Sequence, residues 1–343
     1  MLSVTVLFLH DGCASAAVAP FEVFRFAGVL FNMCVGAQPQ PHFDVVAASM
    51  DGKPTVSDGG LAVVPQKSIR DVRHTDLVFI PDAGFEPGLM IEKHRALIPW
   101  LRKLHDRGTM IAAVCSGVGI LAATGLLDGR SATTHWAMTE PFRQRFPQVD
   151  WRTDVFITED RGIFTGGGIY SSIDLSLYLV EKLCGHTVAV ECAKALLIDM
   201  PRTWQTEYAV LPLTTSHNDE SVRKVEQWLQ RHYGEEIRIE DVAARSGMSP
   251  RTFERRFRAA VGQSAVAYLQ KVRISAARRM LEGGKRSIQQ VSSAVGYQDI
   301  AFFRGLFKRQ IGVSPAAYRE RFGTPPGALV AGAQSRSNAS STR

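Results

Sequence analysis

Cys115 is the residue in this sequence best placed to do chemistry. It follows an apolar run, Met110-Ile-Ala-Ala-Val114, and precedes Ser116-Gly117-Val-Gly119. A strand, a sharp turn of small residues and a helix would put its thiol near a helix N-terminus, where the helix dipole favours the thiolate. Twenty residues on, Thr133-Thr134-His135-Trp136 closes another predicted strand. A cysteine and a histidine at the carboxyl ends of parallel strands can share one crevice. Cys115 has three readings: a small packing residue, a nucleophile, or a wall of an effector pocket. A nucleophile needs a base and an orienting group, whereas a pocket wall needs neither, so the pocket wall is preferred. A redox sensor acting through oxidation of Cys115 is a further alternative. His135 alone would read as a core histidine, and only its spacing from Cys115 raises it. Trp136 reads as core or pocket wall. Cys13, Cys34, Cys184 and Cys192 read as packing residues.

The elements needed to position these residues are legible as alternating patterns. Val4–Leu9, Phe43–Ala47, Leu77–Ile80 and Thr109–Val114 read as buried parallel strands, apolar on both faces. Phe21–Phe31, Lys93–Arg107, Trp136–Phe146 and Ile169–Leu183 read as helices. Such alternation predicts an α/β layered fold around a parallel sheet.

A second chemistry lies further along the chain and is duplicated. Val242-Ala-Ala-Arg-Ser-Gly247-Met-Ser-Pro-Arg-Thr-Phe253-Glu-Arg-Arg-Phe257 returns as Val291-Ser-Ser-Ala-Val-Gly296-Tyr-Gln-Asp-Ile-Ala-Phe-Phe303-Arg-Gly-Leu-Phe307. The offset is 49 at the glycines and 50 from the phenylalanines on, so the second copy has one extra turn residue. Each copy predicts a helix-turn-helix. Gly247 and Gly296 can end the first helix of each pair. Ser249 before Pro250 fits a helix start, Ser287 and Gln290 have capping-box spacing, and Asp299 can cap the last helix. With Phe253 and Phe257 turned inward, Arg251, Arg255 and Arg258 face roughly the other way at 3.6 residues per turn. Arg304, Lys308 and Arg309 follow the second turn. Cations on the exposed face of a second helix suit phosphates and guanine edges in a major groove. The candidate DNA-contacting residues are Arg251, Thr252, Glu254, Arg255, Ala301 and Arg304. Ile300, Ala301 and Phe302 offer apolar contact with thymine methyls and no hydrogen bonds.

The charge follows this division. From Ser216 onward there are 22 Lys/Arg against 11 Asp/Glu, while residues 1 to 215 hold 18 against 22. Basic charge therefore lies with the predicted DNA-binding half. At 343 residues and 45% hydrophobic content the chain is sized for two domains with a core each. No apolar run reaches the about 20 residues of a membrane span, and the start has no basic leader. Five cysteines, odd in number and without metal-type pairing, fit reduced thiols in a cytoplasm. No metal site and no cofactor is expected.

The duplicated stretch resembles the DNA-binding domain of AraC-type regulators, through these helix-turn-helix motifs and the closing Gly312-Val-Ser-Pro315-Ala-Ala-Tyr318-Arg. In that domain a long helix joins the two motifs, and the resemblance implies that Ser264 to Leu281 is this helix, with Leu269, Val272, Ala276 and Met280 as its buried stripe. The chain departs from the family pattern at Ser264-Ala265, where Ser-Pro is usual. The first half resembles PfpI-like members of the class I glutamine amidotransferase-like superfamily, which have a flavodoxin-like fold. The motifs are Ala-Ala-Val-Cys115-Ser-Gly, Leu121-Ala-Ala-Thr-Gly-Leu-Leu-Asp-Gly-Arg130, Ala132-Thr-Thr-His-Trp136, and Gly166-Gly-Gly with Ile173-Asp174. Together the halves resemble GlxA-type AraC-family regulators.

The resemblance implies a sensor domain over 1–200, a linker at 201–216, an all-α double helix-turn-helix domain over 217–323 and a disordered tail at 324–343. It also implies a transcriptional regulator that binds double-stranded operator DNA and answers to a small nitrogenous or amino-acid-like effector. A homodimer through the sensor domain, and RNA polymerase as a further partner, follow the same analogy. Enzymes of the superfamily place an acid near the end of the first strand, where this chain has about Ala16, with Asp11 the only acid near. The family's Pro-Gly-Gly is here Pro81-Asp82-Ala83-Gly84. The resemblance thus implies a non-catalytic sensor whose pocket takes in Asp11, Cys115, Ser116, His135 and Trp136. The alternative is a thiol-dependent amidase or hydrolase carrying a DNA-binding module.

Overall fold

The computed structural model describes residues 1–200, 217–283 and 286–323. The linker expected at 201–216 and the tail at 324–343 lie outside the described residues. The chain divides into two compact units, Met1–Thr206 and Glu207–Arg343.

The first unit is built on strands β1 (Leu2–Leu7), β2 (Phe43–Ser49), β3 (Thr55–Val56), β4 (Ala62–Val63), β5 (Lys67–Ser68), β6 (Leu77–Ile80), β7 (Met110–Val114), β8 (Ser131–Ala132), β9 (Asp150–Trp151), β10 (Ile157–Asp160) and β11 (Ile163–Gly166). Seven of them form one sheet in the order β10-β11-β7-β6-β1-β2-β5. Its central pairs are parallel, with Val4 opposite Val45 and Ile80 opposite Ala113. Only β10 runs antiparallel, against β11. The helices are α1 (Ser15–Phe26), α2 (Leu30–Cys34), α3 (Pro87–Lys93), α4 (Leu97–His105), α5 (Gly117–Ala122), α6 (Thr139–Arg145), α7 (Ser171–Cys184) and α8 (His186–Leu196). Both sheet faces are covered, which is why the strands read as continuous apolar runs. Along β6, Leu77 and Phe79 enter one core with α1 and α7, while Val78 and Ile80 enter the other with α4 and α5.

Three predicted helices differ from those found. Phe21–Phe31 is two helices: α1 begins earlier, at Ser15, with Pro20 inside it, and left-handed Gly28 separates α1 from α2. Lys93–Arg107 is α3 and α4, parted at buried His94, whose Nδ1 lies 2.9 Å from Met90 O. Trp136–Phe146 begins as a 3-10 turn, Trp136–Met138, before α6. The predicted strand before His135 is only Ser131–Ala132, and it pairs with β9 in a separate two-stranded sheet. His135 therefore does not close a strand of the parallel sheet.

The second unit, among its described residues, is all helix: α9 (Glu220–His232), α10 (Ile239–Arg245), α11 (Pro250–Val261), α12 (Ala265–Glu282), α13 (Ile288–Ala294), α14 (Ile300–Ile311) and α15 (Pro315–Phe322). The pair α10–α11 maps onto α13–α14 with the sequence offsets, 49 for the first helices and 50 for the second. The packing repeats as well. Phe257 meets Tyr268 edge-on at 5.6 Å, and Phe307 meets Tyr318 edge-on at the same 5.6 Å. Each half has its own core, and α12 contributes to both. The buried stripe of α12 is wider than predicted: Arg273 and Arg278 are buried too, and Met280 is half-buried.

Candidate nucleic-acid interface and thiol site

The local sequence builds both recognition helices as expected. Ser249 accepts from Thr252 N–H with Pro250 in the first turn, and Gly247 sits in the left-handed region that the tight turn needs. Ser287 and Gln290 form a reciprocal capping box. Asp299 Oδ1 accepts from Ala301 N–H at 2.8 Å and Phe302 N–H at 3.0 Å. With Phe253, Phe257, Phe303 and Phe307 buried, Arg251, Thr252, Arg255 and Arg258 are exposed on α11, and Ala301, Arg304, Lys308 and Arg309 on α14. Arg251, Glu254, Arg255 and Arg258 line one open groove.

Two residues differ in role from a simple reading face. Glu254 is half-buried, 3.5 Å from Arg258, and accepts from Ala265 N–H at 3.4 Å, so it ties α11 to the start of α12. Arg256, which the helical pattern did not single out, makes a two-point contact with Asp219 at 2.5 and 3.1 Å. That guanidinium holds the Asp219 carboxyl below the usual carboxylate range.

In the first unit Cys115 sits in a left-handed turn at φ 54, at the end of β7. Its N–H donates to Gly166 O, and Thr134 Oγ1 donates to its carbonyl at 2.7 Å. The turn is pressed onto the loop after β6: a side chain at Gly117 would lie 2.0 Å from Pro81 O. The same loop brings in the residue that sequence reasoning missed. Asp82 is buried and accepts from Ser116 Oγ at 2.6 Å and from Cys13 N–H at 2.9 Å. Ser116 Oγ in turn accepts from Ala83 N–H at 2.9 Å. The signal for Asp82 was present, since Pro81-Asp82-Ala83-Gly84 stands where the resembling family has glycine.

These surroundings reverse the expected acidity of the thiol. Burial pushes the Cys115 thiol well up, and the Asp82 carboxylate adds to the rise, outweighing a hydrogen bond from the Ser116 backbone. Burial also lowers His135, with Asp82 opposing. His135 Nδ1 accepts from Ala137 N–H at 3.1 Å, so in the neutral ring the proton lies on Nε2. The His135 and Trp136 rings lie 5.2 Å apart, both half-buried.

The expected pocket residues thus divide. Cys115 and Ser116 are sealed, His135 and Trp136 stand at intermediate depth, and Asp11 is exposed and paired with Lys93. The carboxylate beside the thiol is Asp82 and not Asp11. Cys34, expected to pack, is exposed, while Cys192 is buried.

Native labelling with a maleimide at pH 7.5 should therefore modify Cys34 and leave Cys115 and Cys192 unmodified until denaturant is added. Labelling of Cys115 at the rate of Cys34 would show that the turn opens to solvent. Among the described residues no group of three or more His, Cys, Asp or Glu could hold a metal ion, and no helix is long and apolar enough to cross a membrane.

Comparison with known proteins bears on both sites. Residues 4–182 match the DJ-1/PfpI family, and residues 242–321 match a helix-turn-helix domain. The HTH-type transcriptional regulator CdhR of Pseudomonas aeruginosa is 30% identical over 289 residues, covering 82% of this chain and 84% of that protein. The HTH-type transcriptional regulator GlxA of Rhizobium meliloti is 29% identical over 292 residues, covering 83% and 87%. Isonitrile hydratase of Pseudomonas putida is 31% identical over 174 residues, covering 50% and 69%. A solved structure from Vibrio parahaemolyticus shares the fold of the first unit, with TM-score 0.50 and 22% identity over 57% of this chain and 98% of that one.

Proposed function

This chain belongs to the DJ-1/PfpI family, and from that premise we propose that it is a sequence-specific DNA-binding transcriptional regulator of the AraC type, with a sensor domain that performs no catalysis. The observation that carries the reading is the pair of capped recognition helices, with Phe253 and Phe257 of one and Phe303 and Phe307 of the other buried and the cations of both exposed. The extent of the similarity to regulators supports it, because that similarity runs through both halves of the chain.

The reading takes 1–200 as the sensor domain, 201–216 as the linker and 217–323 as the DNA-binding domain. It places a small nitrogenous or amino-acid-like effector near His135 and Trp136, above the sealed Cys115–Ser116–Asp82 layer. Partners are operator DNA, a second copy of the chain through its sensor domain, and RNA polymerase, in the cytoplasm. His135→Ala should weaken the effector response of a reporter while leaving operator affinity unchanged. Full induction in that variant would remove His135 from the effector site.

The enzyme alternative has two favouring observations: Asp82 supplies a carboxylate beside Cys115, and a hydratase is among the relatives. A carboxylate raises a neighbouring thiol's pKa, however, and a nucleophilic cysteine needs the reverse. The purified chain should therefore turn over neither amides nor isonitriles. Turnover lost in Cys115→Ala would overturn the non-catalytic reading. A redox sensor likewise needs an accessible, acidic thiol, and Cys115 is neither.

A further inference from the structure

The two helix-turn-helix halves have separate cores. Val272 on α12 is the last of that helix's residues in the first core, and Ile274 is the first in the second. Arg273 lies between them and is only 8% exposed. A charged side chain held this deep needs its donors satisfied. Its Nε donates to Tyr233 O and one terminal nitrogen donates to Glu235 O, both at 2.8 Å. Both carbonyls belong to the chain leaving α9, in the first half. The guanidinium also lies 4.9 Å from the ring centre of Tyr297, in the second half's turn.

The turn is shaped to receive it. A side chain at Gly296 would lie 2.8 Å from an Arg273 terminal nitrogen and 3.1 Å from Tyr233 O. Beside it, a side chain at Gly234 would lie 2.8 Å from Ala294 O. Three segments therefore meet on one guanidinium: the end of α9, the middle of α12, and the Gly296–Tyr297 turn. That turn leads directly into α14, and Tyr297 packs against Phe302 and Phe303 of that helix.

We infer that Arg273 is the positioning residue that fixes the separation of the two recognition helices, and so sets which spacing between its two DNA subsites the protein accepts. The inference rests on both helices reading DNA, as proposed above. Sharing α12 joins the halves through one helix, and Arg273 adds a second tie from the end of α9 across to the turn before α14. One base pair changes the spacing by about 3.4 Å and the facing by about a tenth of a turn. A tie made of two direct hydrogen bonds and a stacked ring has little play on that scale. Lysine could not replace it, having no planar fork to reach two carbonyls while lying on a ring.

The test is selection of bound duplexes from a randomised 40-base-pair pool by the full-length protein, with sequencing of the recovered DNA. Wild type should return two motifs at a single spacing. Arg273→Met should return both motifs spread over at least two spacings. Arg278→Met is the control: Arg278 is equally buried on α12, but its Nε donates to Tyr318 Oη inside the second half. That variant should weaken the second motif while keeping the single spacing. If Arg273→Met fails to fold, Arg273→Lys carries the same comparison and should still broaden the spacing. A single spacing in the Arg273 variant, or loss of the second motif equally in both variants, would overturn the inference. No enriched motif, or only one, with wild type would instead overturn the reading that both helices engage DNA.

Discussion

Asp82→Ala should lower the stability of the sensor domain by about 3 kcal/mol, because hydrogen bonds to a charged group contribute about 1.5–3 kcal/mol and two donors, one buried and one half-buried, lose their acceptor. Those donors are Ser116 Oγ and Cys13 N–H, and Ser116 also receives Ala83 N–H. The loss loosens the contact between the loop after β6 and the turn that carries Cys115. For a unit of this size about 1 kcal/mol shifts the melting temperature by about 2–4 °C, so the transition should fall by about 6–12 °C. The Cys115 thiol should also become more acidic, since burial still raises it but the carboxylate that added to that rise is gone. Calorimetry of the full chain reads the first effect, and the pH dependence of thiol absorbance reads the second. A change in melting below about 1 °C would mean that Asp82 does not hold this layer together.

Arg255→Ala should relax base preference at one operator position by about 1–3 kcal/mol, the worth of one good bidentate arginine contact, or roughly 5- to 150-fold. Arg255 is exposed on the outer face of α11, and Glu254 beside it is already engaged with Arg258 and Ala265. Base reading from that helix therefore falls to Arg255 in its middle and to Arg251 and Thr252 near its capped start. Competition between the selected operator and its single-base variants measures the effect. An equal drop on selected and scrambled DNA would make Arg255 a phosphate contact only.

The duplicated half was almost wholly legible because its signals are local. Caps, left-handed glycines and phenylalanine spacing each act within a few residues, and all reappear at their expected positions. The sheet strands were legible where both faces are buried, as in Leu77–Ile80. Mixed strands such as β10 and β11, one of them antiparallel, had no such run to reveal them. Helix boundaries failed where a break depends on packing, as at His94. The thiol site was read only in part for a related reason. Cys115 and Ser116 are adjacent in sequence, but Asp82 reaches them across 34 residues of chain, and the burial of Cys115, with the Asp82 carboxylate adding to it, reverses the acidity that a helix N-terminus alone suggests. Arg273 was hidden because an arginine in a helical pattern reads as surface, and only its two carbonyl partners and Tyr297 explain its burial.

The central claim is that one chain reads DNA with two recognition helices. Methylation protection of guanine N7 on an operator selected by the full-length protein tests it most directly. Each protomer should protect two patches about 10 base pairs apart on one face of the duplex, since helices in successive major grooves need centres about 34 Å apart. The half-site should be asymmetric, with the stronger sequence dependence in the patch under Arg251 and Arg255 and the weaker under Ala301 and Arg304. One protected patch per protomer, or a half-site that is itself palindromic, would show that a single helix-turn-helix engages and that the second copy is structural.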